Sequence, residues 1–301
     1  LKLGFGLPHG GHSVSPHNIV LIAQEAERLG FDSVWTYEHL LRPTRPIPGV
    51  LGGEPMLQSH LYGTCYDPLE TLTYVAAKTE RVKLGTGIVN ALFHPPVVLA
   101  KRFATLDQLS GGRAIAGLGQ GWMPDEFETT GVPMKRRGAG FEEYVQALRA
   151  IWGANPVSFK GRFYTIAESE IGPKPLNPEG IPIILGAFVP AALQRAALIA
   201  DGVMPGNMPW EISEQAIPGF RSIAQQAGRN AARLQIIIRA VNVPGKELPL
   251  TGSFEKITGD IFHMQDLGVD QIIFDPGQLD TPIEQQLHFM QQLSTLIPQL
   301  A

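Results

Sequence analysis

Apolar residues fall in short blocks along this chain, each closed by Gly or Pro. Lys2 to Leu7 is a brief apolar run that reads as a buried strand. Ser15-Pro16 then opens a helix, because Ser caps the free N–H groups and Pro fits the first turn. Ile19, Ile22, Ala23, Ala26 and Leu29 share one face of it, and Gly30 ends it. Ser33 to Tyr37 is the next strand. The same order returns in strands at Val82–Asn90, Arg113–Gly119, Ile181–Leu185, Gly202–Met204, Leu234–Val243 and Gln271–Phe274. Helices open at Pro95-Pro96 (Leu99, Phe103 and Leu106 on one face) and at Pro190. Two more carry the stripes Phe254, Ile257, Ile261, Met264, Leu267 and Ile283, Leu287, Met290, Leu293.

The count is about eight strands, each followed by a helix, and the strands are continuous apolar runs of the kind buried on both faces. That pattern predicts a (β/α)₈ TIM barrel formed by residues 1–301 as one domain, with a doubly wound open sheet as the rival. Three segments interrupt the rhythm. Leu40 to Tyr66 is an insertion after strand two, and Gly121 to Gly140 a polar one after strand four. Asn155 to Pro175, before strand five, holds a hairpin with its turn at Lys160-Gly161. Loops this long in a compact domain are functional or disordered.

In a barrel the chemistry sits just past the strands. Those positions are His9, Glu38-His39, Gly87 to Asn90, Gly119 to Trp122, Gly186 to Phe188, Pro205 to Asn207, Asn242 and Asp275. The collar is mostly uncharged. His9 and His12 lack the spacing of a metal-hydrolase pair, no GxSxG elbow is present, and neither Gly-rich turn leads into a P-loop lysine. No metal site is expected. Gly186 to Pro190 joins a strand to a helix whose N-terminus offers N–H groups to an anion; an ordinary turn explains it equally well. A collar without strong acid–base pairs suits redox chemistry, in which a cofactor brings the reactivity and the protein an apolar slot.

Composition narrows the partners. With 44% hydrophobic and 17% charged residues and a net charge of -4, nothing attracts nucleic acid. No apolar run reaches the roughly 20 residues of a membrane span. The single cysteine, Cys65, excludes an internal disulfide, and residues 1–7 do not read as a signal peptide. A soluble cytoplasmic protein is expected.

Several segments in order then carry a resemblance: AERLGFDSVWTYEHL (26–40), RVKLGTGIVNALFHPPVVLAKRFATLDQLSGGRAIAGLGQGW (81–122), LRAIWG (148–153), VSFKGRFYTI (157–166), GPKPLNPEGIPIILGAF (172–188) and AALIADGVMP (196–205). The chain resembles the bacterial luciferase-like monooxygenase superfamily, and within it the coenzyme F420-dependent oxidoreductases. The resemblance implies a barrel with a deazaflavin or flavin at the C-terminal face. Glu38-His39 stands where members have Asp-His, and His39 matches their active-site histidine. A non-proline cis peptide is implied within Gly87, Ile88, Val89 and Asn90, with Gly87-Ile88 favoured. Gln120-Gly121 matches the loop that meets the ring and ribityl chain, and Gly186, Ala187, Phe188 and Val189 the phosphate-side turn. Sugar-phosphate enzymes of the group carry a glutamate two residues past the Gly of the strand-four loop; here the stretch is Gly121-Trp122-Met123, with Asp125 and Glu126 further on.

The expected activity is hydride transfer between coenzyme F420 and a small organic substrate, with His39 exchanging the matching proton. The alternatives are an FMNH2-dependent monooxygenase fed by a separate reductase, with FMN as cofactor, and a catalytically silent flavin-binding protein. A homodimer is expected.

Overall fold

The computed structural model describes residues 1–49, 52–241 and 247–300. Eight parallel strands run around it: β1 (Lys2–Gly6), β2 (Ser33–Thr36), β3 (Lys83–Thr86), β4 (Ala114–Gly119), β5 (Ile183–Gly186), β6 (Gly202–Met204), β7 (Gln235–Ala240) and β8 (Gln271–Phe274). Each pairs in parallel with the next, and β8 returns to β1 with Phe274 opposite Phe5. The sheet is closed, which decides for the TIM barrel over the open sheet.

The helices of the described residues are α1 (Pro16–Leu29), α2 (Pro68–Ala76), α3 (Pro96–Ser110), α4 (Pro124–Thr130), α5 (Ala139–Trp152), α6 (Pro190–Ile199), α7 (Trp210–Gln226), α8 (Phe254–Asp266) and α9 (Ile283–Ser294). In α1 the Ser15 hydroxyl accepts the Asn18 N–H at 3.0 Å, and Gly30 ends the helix at φ 87°. None of the helices is long and apolar enough to cross a membrane.

Two apolar clusters hold the fold. The larger lies between strands and helices; the smaller fills the barrel with Trp35, Ile115, Ile184, Met204, Ile237 and Ile273, and Ile88 packs onto it. Burying each such side chain contributes about 1.5–3 kcal/mol. The Arg of LSGGR belongs to this framework and not to the chemistry. Arg113 donates to the Ala76, Thr79, Val82 and Ser110 carbonyls and to Thr79 Oγ1, tying the end of α2 to β3 and β4.

Several boundaries differ from the sequence pattern. The run Val82–Asn90 is two pieces: β3 stops at Thr86, the Gly87–Ile88 peptide is cis, and Val89–Asn90 resumes pairing with β4. β7 ends at Ala240, and Asn242 and Val243 lie outside the described residues. The insertion after β2 contains a ribbon (Ile47–Gly49 with Gly52–Met56) and a 3₁₀ turn, His60–Gly63. The polar stretch after β4 forms α4. The hairpin before β5 pairs Val157–Lys160 with Thr165–Ser169, so its turn is longer than Lys160-Gly161. The reason sits on α5, where the Glu143 carboxylate accepts the N–H groups of Arg162, Phe163 and Tyr164.

Candidate active site

A cavity of about 410 Å³ opens at the C-terminal end of the barrel. Its floor is Ile88. The position depends on two glycines: a Cβ on Gly119 would lie 2.4 Å from Ile88 Cδ1, and one on Gly186 3.2 Å from Ile88 Cγ2. Without those carbons, β4 and β5 leave room for the isoleucine to rise between them.

His39 stands on the wall, three residues past β2, with its side chain only 10% exposed. Tyr62 from the insertion stacks on its ring at 3.6 Å, and Trp122 meets it edge-on at 6.4 Å. Its Nδ1 lies 3.2 Å from Glu126 Oε1, which also accepts the Leu40 N–H at 2.8 Å. Glu126 is fully buried on α4, and its other oxygen has no partner among the described residues. Beside an ionised Glu126, which can only accept, a neutral His39 ring places its proton on Nδ1 and its lone pair on Nε2. A buried glutamate thus fixes the tautomer of a histidine on the cavity wall.

Glu38 turns away from this pair. Its carboxylate accepts the Asn90 N–H at 2.7 Å and meets His94 Nε2 at 2.7 Å, while Asn90 Nδ2 donates to the Glu38 carbonyl. It braces the segment that follows the cis peptide. On the opposite side, Arg239 reaches in from β7. It donates to the Gly87 carbonyl at 2.7 Å, pairs with buried Asp275, and lies 4.8 Å from the Tyr37 ring centroid.

Two titratable groups near the wall are held out of chemistry. His9 is buried, with Nδ1 2.8 Å from the Leu7 carbonyl oxygen and Nε2 2.9 Å from the Tyr37 carbonyl oxygen and 3.0 Å from the Tyr37 nitrogen. Burial lowers its pKa against the pull of neighbouring carbonyls. Burial also pushes the Cys65 thiol up to about 12, so it is no thiolate nucleophile.

Of the residues expected at the site, His39, Glu38, Gly87, Ile88, Asn90, Gly186 and Phe188 line the cavity. Val89 is buried in the outer core. The Gln120 side chain instead accepts the Gly138 N–H at 2.8 Å, and Gly121 turns the chain at φ 74° so that Trp122 enters the wall. The Ala187 N–H is taken by the Met204 carbonyl, and Val189 is the N-cap of α6. Among the described residues, none accepts from the Phe188 or Val189 N–H groups. In the collar, Asn207 braces the loop after β7 by donating to the Val241 and Pro249 carbonyls. Sequence reasoning missed Arg239, although a lone charge in QIIIRA is a visible signal, and it left Glu126 without a role.

Known proteins resemble this chain in sequence and fold. The family described as luciferase-like monooxygenase matches residues 3–246. An uncharacterized protein of Mycobacterium bovis is 30% identical over 90% of this chain and 91% of its own length. A Kineococcus radiotolerans protein named F420-dependent glucose-6-phosphate dehydrogenase is 31% identical over 78% of this chain and 65% of its own. The crystal structure of monooxygenase RslO1 from Streptomyces bottropensis superposes with a TM-score of 0.81 and 24% identity over 100% of both chains. The chain therefore belongs to the luciferase-like monooxygenase family and is an oxidoreductase or monooxygenase of that family.

Proposed function

We propose that this protein transfers a hydride between coenzyme F420 and a small organic substrate, with His39 moving the accompanying proton. The observation that carries the reading is the His39–Glu126 pair set in the wall of an apolar cavity floored by Ile88. The choice of F420 over FMN rests on similarity to a relative named as F420-dependent.

The residues present fit such a group. Gly119 and Gly186 allow Ile88 to form an apolar shelf that a flat ring can cover, and Tyr62, Trp122 and Phe188 supply aromatic walls. Asn90 and Arg239 are the polar groups that would hold its edge. The Phe188 and Val189 N–H groups, before α6, would meet its phosphate side. Glu38, Gly87 and Val89 would act by fixing the shelf, and Gln120 and Gly121 by placing Trp122. When bound, the cofactor supplies or takes the hydride.

The chain's own contribution is proton handling. Glu126 keeps Nδ1 of His39 protonated, so Nε2 can take the hydroxyl proton of an alcohol under oxidation. In reduction the protonated Nε2 returns it to the new alkoxide, or to the anionic nitrogen left when an imine takes up the hydride. The apolar wall keeps water from competing for that proton. We also read residues 1–301 as one domain and the native state as a homodimer, which light scattering would resolve as twice the chain mass.

The test is turnover with each reduced cofactor. Reduced F420 should be oxidised only when an acceptor substrate is present, without oxygen uptake. Oxygen uptake with reduced FMN and no reaction of F420 would replace this reading with a two-component monooxygenase. Binding without turnover on a broad set of carbonyl and imine acceptors would leave a silent binding protein.

A further inference from the structure

A second cluster of chemical groups lies at the same end of the barrel, outside the cavity. It joins three segments remote in sequence: His12 from the loop after β1, His60 from the insertion after β2, and Asp280 from the loop after β8. His60 and Asp280 are 220 residues apart. Asp280 Oδ2 meets His12 Nδ1 and lies 3.0 Å from His60 Nε2, while Oδ1 accepts the His12 N–H at 2.7 Å. One donor atom of each of the three lies within 4.8 Å of the others.

The backbone is shaped around this carboxylate. Asp280 itself is left-handed at φ 55°, unusual for a residue with a side chain. Gly11 is also left-handed, at φ 82°, and a Cβ there would fall 2.4 Å from Asp280 Oδ1. The loop after β1 therefore closes directly onto the acid. The two imidazoles are exposed and the carboxylate nearly covered, so the three present a face that opens to water.

We propose that His12, His60 and Asp280 bind one divalent ion of the zinc class. Two imidazoles and a carboxylate are ligands that zinc and its neighbours favour, with water filling the remaining positions. Bonds of about 2.0 Å at tetrahedral angles put donor atoms about 3.3 Å apart, and here one donor atom from each of the three residues lies within 4.8 Å of the others. The sequence pairs His12 with His9 and points to no metal; the fold buries His9 and brings His12 to two distant partners. The site is a clamp. Tyr62, which stacks on His39, is two residues past His60, and Gln278 of the cavity lining is two residues before Asp280. An occupied site would fix both cavity margins to the loop after β1.

The test uses the full chain, stripped with chelator and dialysed against zinc chloride. Metal content is measured directly, and absorption with cobalt(II) reports nitrogen and oxygen ligation. Wild type and a His17→Gln control should each bind about one equivalent and gain thermal stability with added zinc. His12→Gln, His60→Gln and Asp280→Asn should each weaken binding at least about tenfold, with far-ultraviolet circular dichroism confirming the fold. Should Asp280→Asn fail to fold, the two exposed histidine variants decide alone. Substoichiometric binding by wild type, or affinity unchanged in both histidine variants, would overturn the proposal.

Discussion

In the proposed reaction, Glu126 makes His39 a directed base. Without it the imidazole would choose its tautomer freely; with it, Nε2 is the basic nitrogen. His39→Ala and His39→Gln are expected to lower turnover about 10²–10⁴-fold while cofactor affinity holds. Glu126→Gln keeps the shape but also offers an amide donor, and is expected to cost at least about tenfold in kcat with KM little changed. Steady-state kinetics beside cofactor titration checks both. The place of His39 on the cavity wall was legible because barrel enzymes put their site residues just past the strands. Its partner was not, because the contact spans 87 residues and depends on how α4 folds back. His9 makes a prediction of the opposite kind. Its folded pKa lies below the ordinary 6.5, so the unfolded chain binds the proton more readily. Stability should therefore fall as pH drops below about 6.5, and His9→Gln should show a shallower fall. Urea midpoints between neutral and mildly acid pH measure it.

At the scale of elements, the shelf is an agreement between strands. β4 and β5 each give up a side chain so that Ile88 can occupy the space. Gly119→Ala is expected to overpack the contact by about 1–3 kcal/mol and to weaken cofactor binding. Ile88→Ala in the same chain should recover part of both, since it removes the atoms that clash. Denaturation midpoints and cofactor titrations of the single and double variants give the coupling. The element pattern was readable where Pro opened a helix and Gly closed it, as in α1 and α3; Pro190 opens α6, which ends at Ala200 without a glycine. α2 and α7 went unmarked although Pro opens α2 and the stripe of α7 includes Ile217 and Phe220. The hairpin turn was misplaced because a side chain from α5, not the turn's own residues, sets its length.

For the molecule as a whole, the strand count and the buried character of the strands were enough to specify a closed barrel. The line between framework and site was harder to draw. The specific LSGGR segment proves to be a brace through Arg113, and the cavity is completed by Tyr62 and Arg239 from segments with no marked motif. All of it converges on one claim, that the cavity over Ile88 receives a deazaflavin beside His39. Equilibrium titration of the purified chain with oxidised F420, and separately with FMN, tests that claim most directly. The account predicts saturable F420 binding at one site per chain, tighter than FMN, weakened by Gly119→Ala and preserved in His39→Gln. Tight FMN binding with no detectable binding of F420 would contradict it.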